Sequence, residues 1–205
     1  MRKHILFATI AAIIGALPGL AFAHPGHADA TVGLWAGVLH PISGVDHIVV
    51  MIALGIWAAQ LGAPAIWVLP IAFPLLLALG GAAGVLALPV PGIEIGIALS
   101  AIVFGLLIAL SVRRPRRAAG SALLGLLVAA FAIFHGYAHG AELPQSADAI
   151  SYSVGFVLAT GLLHGLGISL GIAKRWATGM TGLRLVGCAI ALCGVYLLIP
   201  QFAAI

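Results

Sequence analysis

Residues 93–117 read IEIGIALSAIVFGLLIALSVRRPRR. The apolar part, 93–112, is about 20 residues long, which as a helix rises about 30 Å, the depth of a bilayer's hydrocarbon core. Its hydrophobicity is continuous and does not alternate with period two, which argues against a barrel strand. In lipid a single segment satisfies its own backbone only as a helix. The arginines that follow at once mark an end that stays in water. This stretch sets the fold class: an all-α, polytopic membrane helical bundle.

The rest of the chain agrees. Of 205 residues, 63% are hydrophobic and 7% charged, against about 25% charged in a soluble domain. Such a chain cannot build a polar shell, which excludes a soluble enzyme, a nucleic-acid-binding domain and a disordered protein. Similar runs give six expected spans: 32–61, interrupted near Pro41 and Gly44; 66–88, with kinks at Pro70 and Pro74; 93–112; 118–139; 150–173; and 183–202. Glycines four apart, Gly80 and Gly84, Gly161 and Gly165, and Gly167 and Gly171, are expected to let helices approach closely.

Ahead of the spans, residues 1–23 read MRKHILFATIAAIIGALPGLAFA. Arg2 and Lys3, an apolar run and Ala21-Phe22-Ala23 form the pattern of a cleaved secretory signal peptide. The mature chain, 24–205, would be one transmembrane domain that opens His24-Pro25-Gly26-His27 outside the cytoplasm. Six crossings then put Arg113, Arg114, Arg116, Arg117, Lys174, Arg175 and Arg184 inside, and Glu142 and Asp148 outside. That distribution obeys the positive-inside rule. The net charge of +4 therefore reports orientation in a bacterial inner membrane, with both mature termini periplasmic, and not a nucleic-acid partner.

Eight histidines in so apolar a chain are the anomaly, because ionisable groups within spans usually face a bundle interior, a partner or a water path. In span one, His40-Pro41-Ile42-Ser43-Gly44-Val45-Asp46-His47 places His40 and His47 two turns apart, too far to share an ion on an unbroken helix. Pro41 and Gly44 allow a local unwinding that brings His40 toward Asp46 and His47. Asp46 is then either a direct ligand or the acceptor that fixes an imidazole tautomer. In span four, Phe134-His135-Gly136-Tyr137-Ala138-His139-Gly140-Ala141-Glu142 stacks His135 over His139 at i, i+4, a spacing able to chelate one divalent ion. Glu142 can join if the helix continues. His164 lies deep in span five. Counted along straight spans, His24, His27, His139 and His135 lie toward the periplasm and His40 somewhat deeper than the mouth. Asp46 and His47 lie near the midplane, and His164 at or below it. Imidazole suits borderline divalent ions such as nickel, cobalt, copper and zinc. Cys188 and Cys193 read as packing residues.

At His40-x5-Asp46-His47 and at FHGYAHGAE (134–142) the sequence resembles the HupE/UreJ family of hydrogenase and urease accessory proteins, and the resemblance runs over essentially the whole chain. It implies a secondary nickel permease serving nickel enzymes, with cobalt as the alternative cargo. It also implies that His40, Asp46 and His47 with His135, His139 and Glu142 carry permeation. No cofactor is permanently bound on this reading. The partners are the divalent ion and the lipid bilayer, with a homo-oligomer left open. Binding needs neutral imidazole, so uptake is expected to weaken as pH falls through the histidine range near 6.5. Two other classes compete. A haem-bearing electron-transfer subunit would use bundle histidines as axial ligands, and an absorption spectrum separates it. An intramembrane metalloenzyme is disfavoured because HGYAH lacks the glutamate of HExxH.

Overall fold

The computed structural model describes residues 30–112, 118–143, 148–172 and 178–203. The leader, His24 and His27, the 113–117 arginine run, Lys174 and Arg175 lie outside the described residues. Among those described, every regular element is a helix: α1 Ala30–Ser43, α2 Val45–Leu61, α3 Ala65–Val85, α4 Ile93–Ala109, α5 Ala118–Ala141, α6 Ala149–Gly171 and α7 Gly179–Ala203. Helices α3, α5, α6 and α7 are long and apolar enough to cross a membrane, a fifth crossing arises if α1 and α2 are one broken span, and α4 is shorter and equally apolar.

The break in the first span falls at Gly44. This residue is extended (φ −91°, ψ 117°) between α1 and α2, and the two helices meet at 80°. Pro41 sits within the last turn of α1, where its missing N–H weakens the helix just before the bend. In contrast, α3 runs through Pro70 and Pro74 as one helix. Gly62 (φ 80°) after α2 and Gly92 (φ 72°) before α4 adopt left-handed conformations that a side chain would strain. Asp148 caps α6 by accepting a 2.8 Å bond from the Ser151 amide. That bond holds the half-buried Asp148 carboxyl below its ordinary range.

Helix α2 forms the centre. From Ile48 to Ala59 it is apolar all round, as a helix enclosed by others must be, and it buries Val50, Met51, Leu54, Ile56 and Trp57. Three close packings build the bundle: α1 and α2 against α6, α3 against α5, and α4 against α7. Glycine makes each contact close. A Cβ on Gly80 or Gly84 would overlap the Ile133 or Tyr137 carbonyl, and one on Gly136 or Gly140 those of Leu77 or Gly81. The same contacts fix direction. Gly33 meets Asp148 and Ser151, Gly37 meets Tyr152, and Gly55 meets His164 and Gly167, so the broken pair runs parallel to α6. Helices α3 and α5 are also parallel. In α4 and α7, Gly105 meets Gly187 while Ile102 meets Gly194, so these two are antiparallel.

One expectation from spacing is corrected. Gly167 and Gly171 do lie against α2, but Gly161 and Gly165 face open space and bring no helix closer. Outward faces carry Trp67, Leu75, Leu79, Leu185, Leu192 and Ile199, which suits lipid. The bundle's two ends differ in charge. Asp46 and Glu142 both lie within electrostatic reach of Glu94 at one end. At the other, Arg184 reaches the Ser111 hydroxyl after α4.

Candidate metal centre

The parallel run of α1, α2 and α6 beside α5 brings five imidazoles into one column below Glu142. The bend at Gly44 turns His40 of α1 and His47 of α2 toward opposite nitrogens of one ring on α5. His40 Nε2 is 2.8 Å from His139 Nδ1, and His139 Nε2 is 2.8 Å from His47 Nδ1. His47 Nε2 continues to the Thr160 hydroxyl at 3.2 Å. At the top, Glu142 Oε2 lies 3.1 Å from His40 Nε2 and 3.8 Å from His139 Nδ1.

Two groups of three donors result, each with its atoms within 4.8 Å of one another: His40, His139 and Glu142, and below them His47, His135 and His139. Side-chain exposure falls along the column, from 60% at Glu142 and 23% at His40 to 11% at His139. His47, His135 and His164 are buried. The outer group thus offers a carboxylate in contact with water, and the inner one only imidazole.

The tautomer of His135 follows from its neighbour. The Ser100 hydroxyl donates its one hydrogen to the Ile97 carbonyl at 2.6 Å. Its oxygen, 2.9 Å from His135 Nε2, must therefore accept, and His135 carries its proton on Nε2. The lone pair is left on Nδ1, which is buried without a hydrogen-bond partner. Such an orientation by a group behind the ligand is how metal-binding histidines are held ready.

The column's walls are aromatic. Phe156 lies against His139, His47 and His40 at centroid distances of 4.8, 5.2 and 6.4 Å. Phe73 lies 6.3 Å from His135 and 5.9 Å from His164.

The structure brings together His40, His47, His135, His139 and Glu142. Helix α5 ends at Ala141, but Glu142 continues its last turn through an amide bond to Ala138 and so joins His139. His40 is a correction. Counted along a straight span it lies below the mouth, whereas the 80° bend leaves it at the mouth against Glu142. Asp46 joins neither donor group. Its Oδ1 lies 2.7 Å from where a Gly44 Cβ would stand, so the carboxylate folds over the break, within electrostatic reach of His139. Sequence reasoning missed Ser100, Thr160, Tyr152 and Phe156. For the last three the signal was present: with His164 they recur every fourth residue along α6.

The profile of the HupE / UreJ protein family matches residues 11–197. The chain belongs to the HupE/UreJ family. It is 42% identical over 200 residues to Protein HupE of Rhizobium leguminosarum bv. viciae, covering 97% of this chain and 100% of that one. No solved structure matches. The family is one of hydrogenase and urease accessory proteins of the nickel/cobalt-transporter type, not an enzyme family. Both histidine motifs, 40–47 and 134–142, fall inside the matched region.

Proposed function

We propose that the protein is a secondary permease that carries a divalent transition-metal ion, nickel in the first place and cobalt in the second, from periplasm to cytoplasm to supply a hydrogenase or urease. The observation that carries this reading is the pair of three-donor groups joined through His139. An ion at the mouth meets Glu142, His40 and His139, exchanging water for mixed oxygen and nitrogen donors. The next group offers nitrogen alone, which borderline ions favour. Several moderate sites in series let an ion leave as well as arrive.

Within the column the imidazoles bond to one another. Two nitrogens 2.8 Å apart stand roughly 3.4 Å apart when both bind one ion tetrahedrally at ~2.1 Å, so small ring rotations convert the bond into a site. The same close contacts leave no gap for a porphyrin between the rings, which disfavours haem. Six crossings are supported by the helix directions: alternate crossings make the first and fifth parallel, the second and fourth parallel, and the third and sixth antiparallel, as the three close pairs are. On this reading the leader is cleaved, the chain lies in the inner membrane with both mature termini periplasmic, and His24 and His27 meet the ion first.

The test is whole-cell uptake of nickel and of cobalt, with and without a proton uncoupler. His47→Ala and His139→Ala are expected to abolish accumulation while the protein stays in the membrane. Normal uptake in both variants would refute the site.

A further inference from the structure

Among the described residues, one buried histidine remains unused by the two donor groups. His164 on α6 is 1% exposed, and neither of its ring nitrogens has a hydrogen-bond partner. Buried polar groups in folded proteins are nearly always paired, so an imidazole with both nitrogens bare needs a reason. Packing does not supply one, since leucine would fill comparable space at lower cost in a bilayer.

Its position supplies the reason. Tyr152, Phe156, Thr160 and His164 recur at intervals of four, hence on one face of α6, and all four are buried. Each of the first three touches the column at a successive level. Tyr152 lies against His40 at 5.8 Å, Phe156 against His40, His47 and His139, and Thr160 bonds His47. His164 follows one turn further, about 6 Å along the axis. It lies about 22 Å from the Asp148 end of α6 and about 10 Å from Gly171, by helical rise. The Phe73 ring touches both His135 and His164, so His164 adjoins the inner donor group and not lipid. Close approach of Gly55 and Gly167 holds the α2 and α6 backbones together at this level.

We propose that His164 is a third and innermost station for the divalent ion in transit, reached from His47 and His135 past Thr160. The inference rests on the permease reading. With a single imidazole from the protein, the station binds weakly, as a last step before release should.

The experiment measures nickel uptake kinetics in cells for the wild type, His164→Leu and His164→Cys, with abundance in the membrane checked for each. If the outer groups set KM and His164 sets passage, His164→Leu lowers Vmax by about tenfold or more with KM within about twofold. His164→Cys keeps a liganding atom and is expected to retain measurable transport. Purified His164→Cys with cobalt is expected to show a thiolate-to-cobalt absorption that the wild type, with Cys188 and Cys193 already present, lacks. Wild-type Vmax in a normally abundant His164→Leu overturns the proposal, as does absence of the new absorption in His164→Cys. If His164→Leu fails to reach the membrane, the absorption of His164→Cys decides alone. A wild type that takes up neither nickel nor cobalt refutes the permease reading itself, and the inference falls with it.

Discussion

Replacing Gly136 by alanine is expected to disable the column through packing alone. Gly136 and Gly140 directly follow His135 and His139 on α5, and they press against the α3 backbone. A Cβ at 136 would overlap the Leu77 carbonyl, and one at 140 the Gly81 carbonyl. Backbone cannot rotate aside as a side-chain tip can. Relief requires α5 to move from α3 by roughly 1 Å or more, toward the ~3.5 Å of ordinary contact. Overpacking of this kind costs about 1–3 kcal/mol. The same displacement carries the neighbouring imidazoles well beyond the ~0.2 Å tolerance of metal–nitrogen bonds. Nickel uptake is therefore expected to fall by about tenfold or more, equivalent to at least ~1.4 kcal/mol of lost ion stabilisation. Gly125→Ala on the same helix and Gly161→Ala on α6 are the controls, since a Cβ at either meets nothing within 4 Å. Their effect on stability is expected to stay within about 0.5 kcal/mol. The assays are thermal unfolding of purified protein and uptake normalised to membrane abundance. A Gly136→Ala protein with wild-type unfolding and uptake, or a Gly125→Ala protein equally damaged, would refute the reasoning.

Glu142→Gln removes the outer anion and is expected to raise the KM for nickel about tenfold with a smaller change in Vmax; an unchanged KM would place ion capture elsewhere. Ser100→Ala releases His135 from its fixed tautomer and is expected to reduce uptake about 10–100-fold, the usual cost of losing a group behind a metal ligand; uptake within twofold of wild type, roughly, would count against that role. The Asp148 cap has a carboxyl held below its ordinary range by the bond from the Ser151 amide. Its contribution is therefore complete above the unfolded carboxylate range and lost as pH falls through the lowered folded value. The protection of the Ser151 amide, its exchange relative to the intrinsic rate at each pH, should fall over that acidic window in the wild type and already be low at neutral pH in Asp148→Ala; protection that does not change with pH in the wild type would show that the cap is not formed.

The membrane fold was legible because its signal is length and continuity of apolar residues, which survive any arrangement of the helices. The i, i+4 pair His135 and His139 was legible for a similar reason: local helical geometry decides it. What depended on neighbours was not. Gly80 and Gly84 share their spacing with Gly161 and Gly165, and only the partner helix separates contact from open space. The depth of His40 was misjudged because counting residues assumes a straight axis, and the axis turns by 80° at Gly44. Asp46 lies in the expected motif but folds back over the break, since only Val45 separates it from Gly44 and it sits in the first turn of α2. Ser100 carries no mark in the sequence. Its hydroxyl bonds the carbonyl three residues back, as many helical serines do, and its role appears only when His135 arrives from another helix.

His139 carries a consequence that neither donor group has alone. Its Nδ1 faces His40 and Glu142, and its Nε2 faces His47. A neutral imidazole has one lone pair and one N–H, so the ring can serve the outer group or the inner group, but not both at once. On the permease reading, an ion at the mouth requires the proton on Nε2, pointing at His47. An ion moving inward requires that proton to change sides. The shared ring therefore makes the two groups alternatives for a single ion and keeps either from becoming a deep trap. Two separate three-donor sites would each hold an ion, and the outer would then have to release its cargo against a filled neighbour. A column that must pass ions on is better served by one ring with two faces.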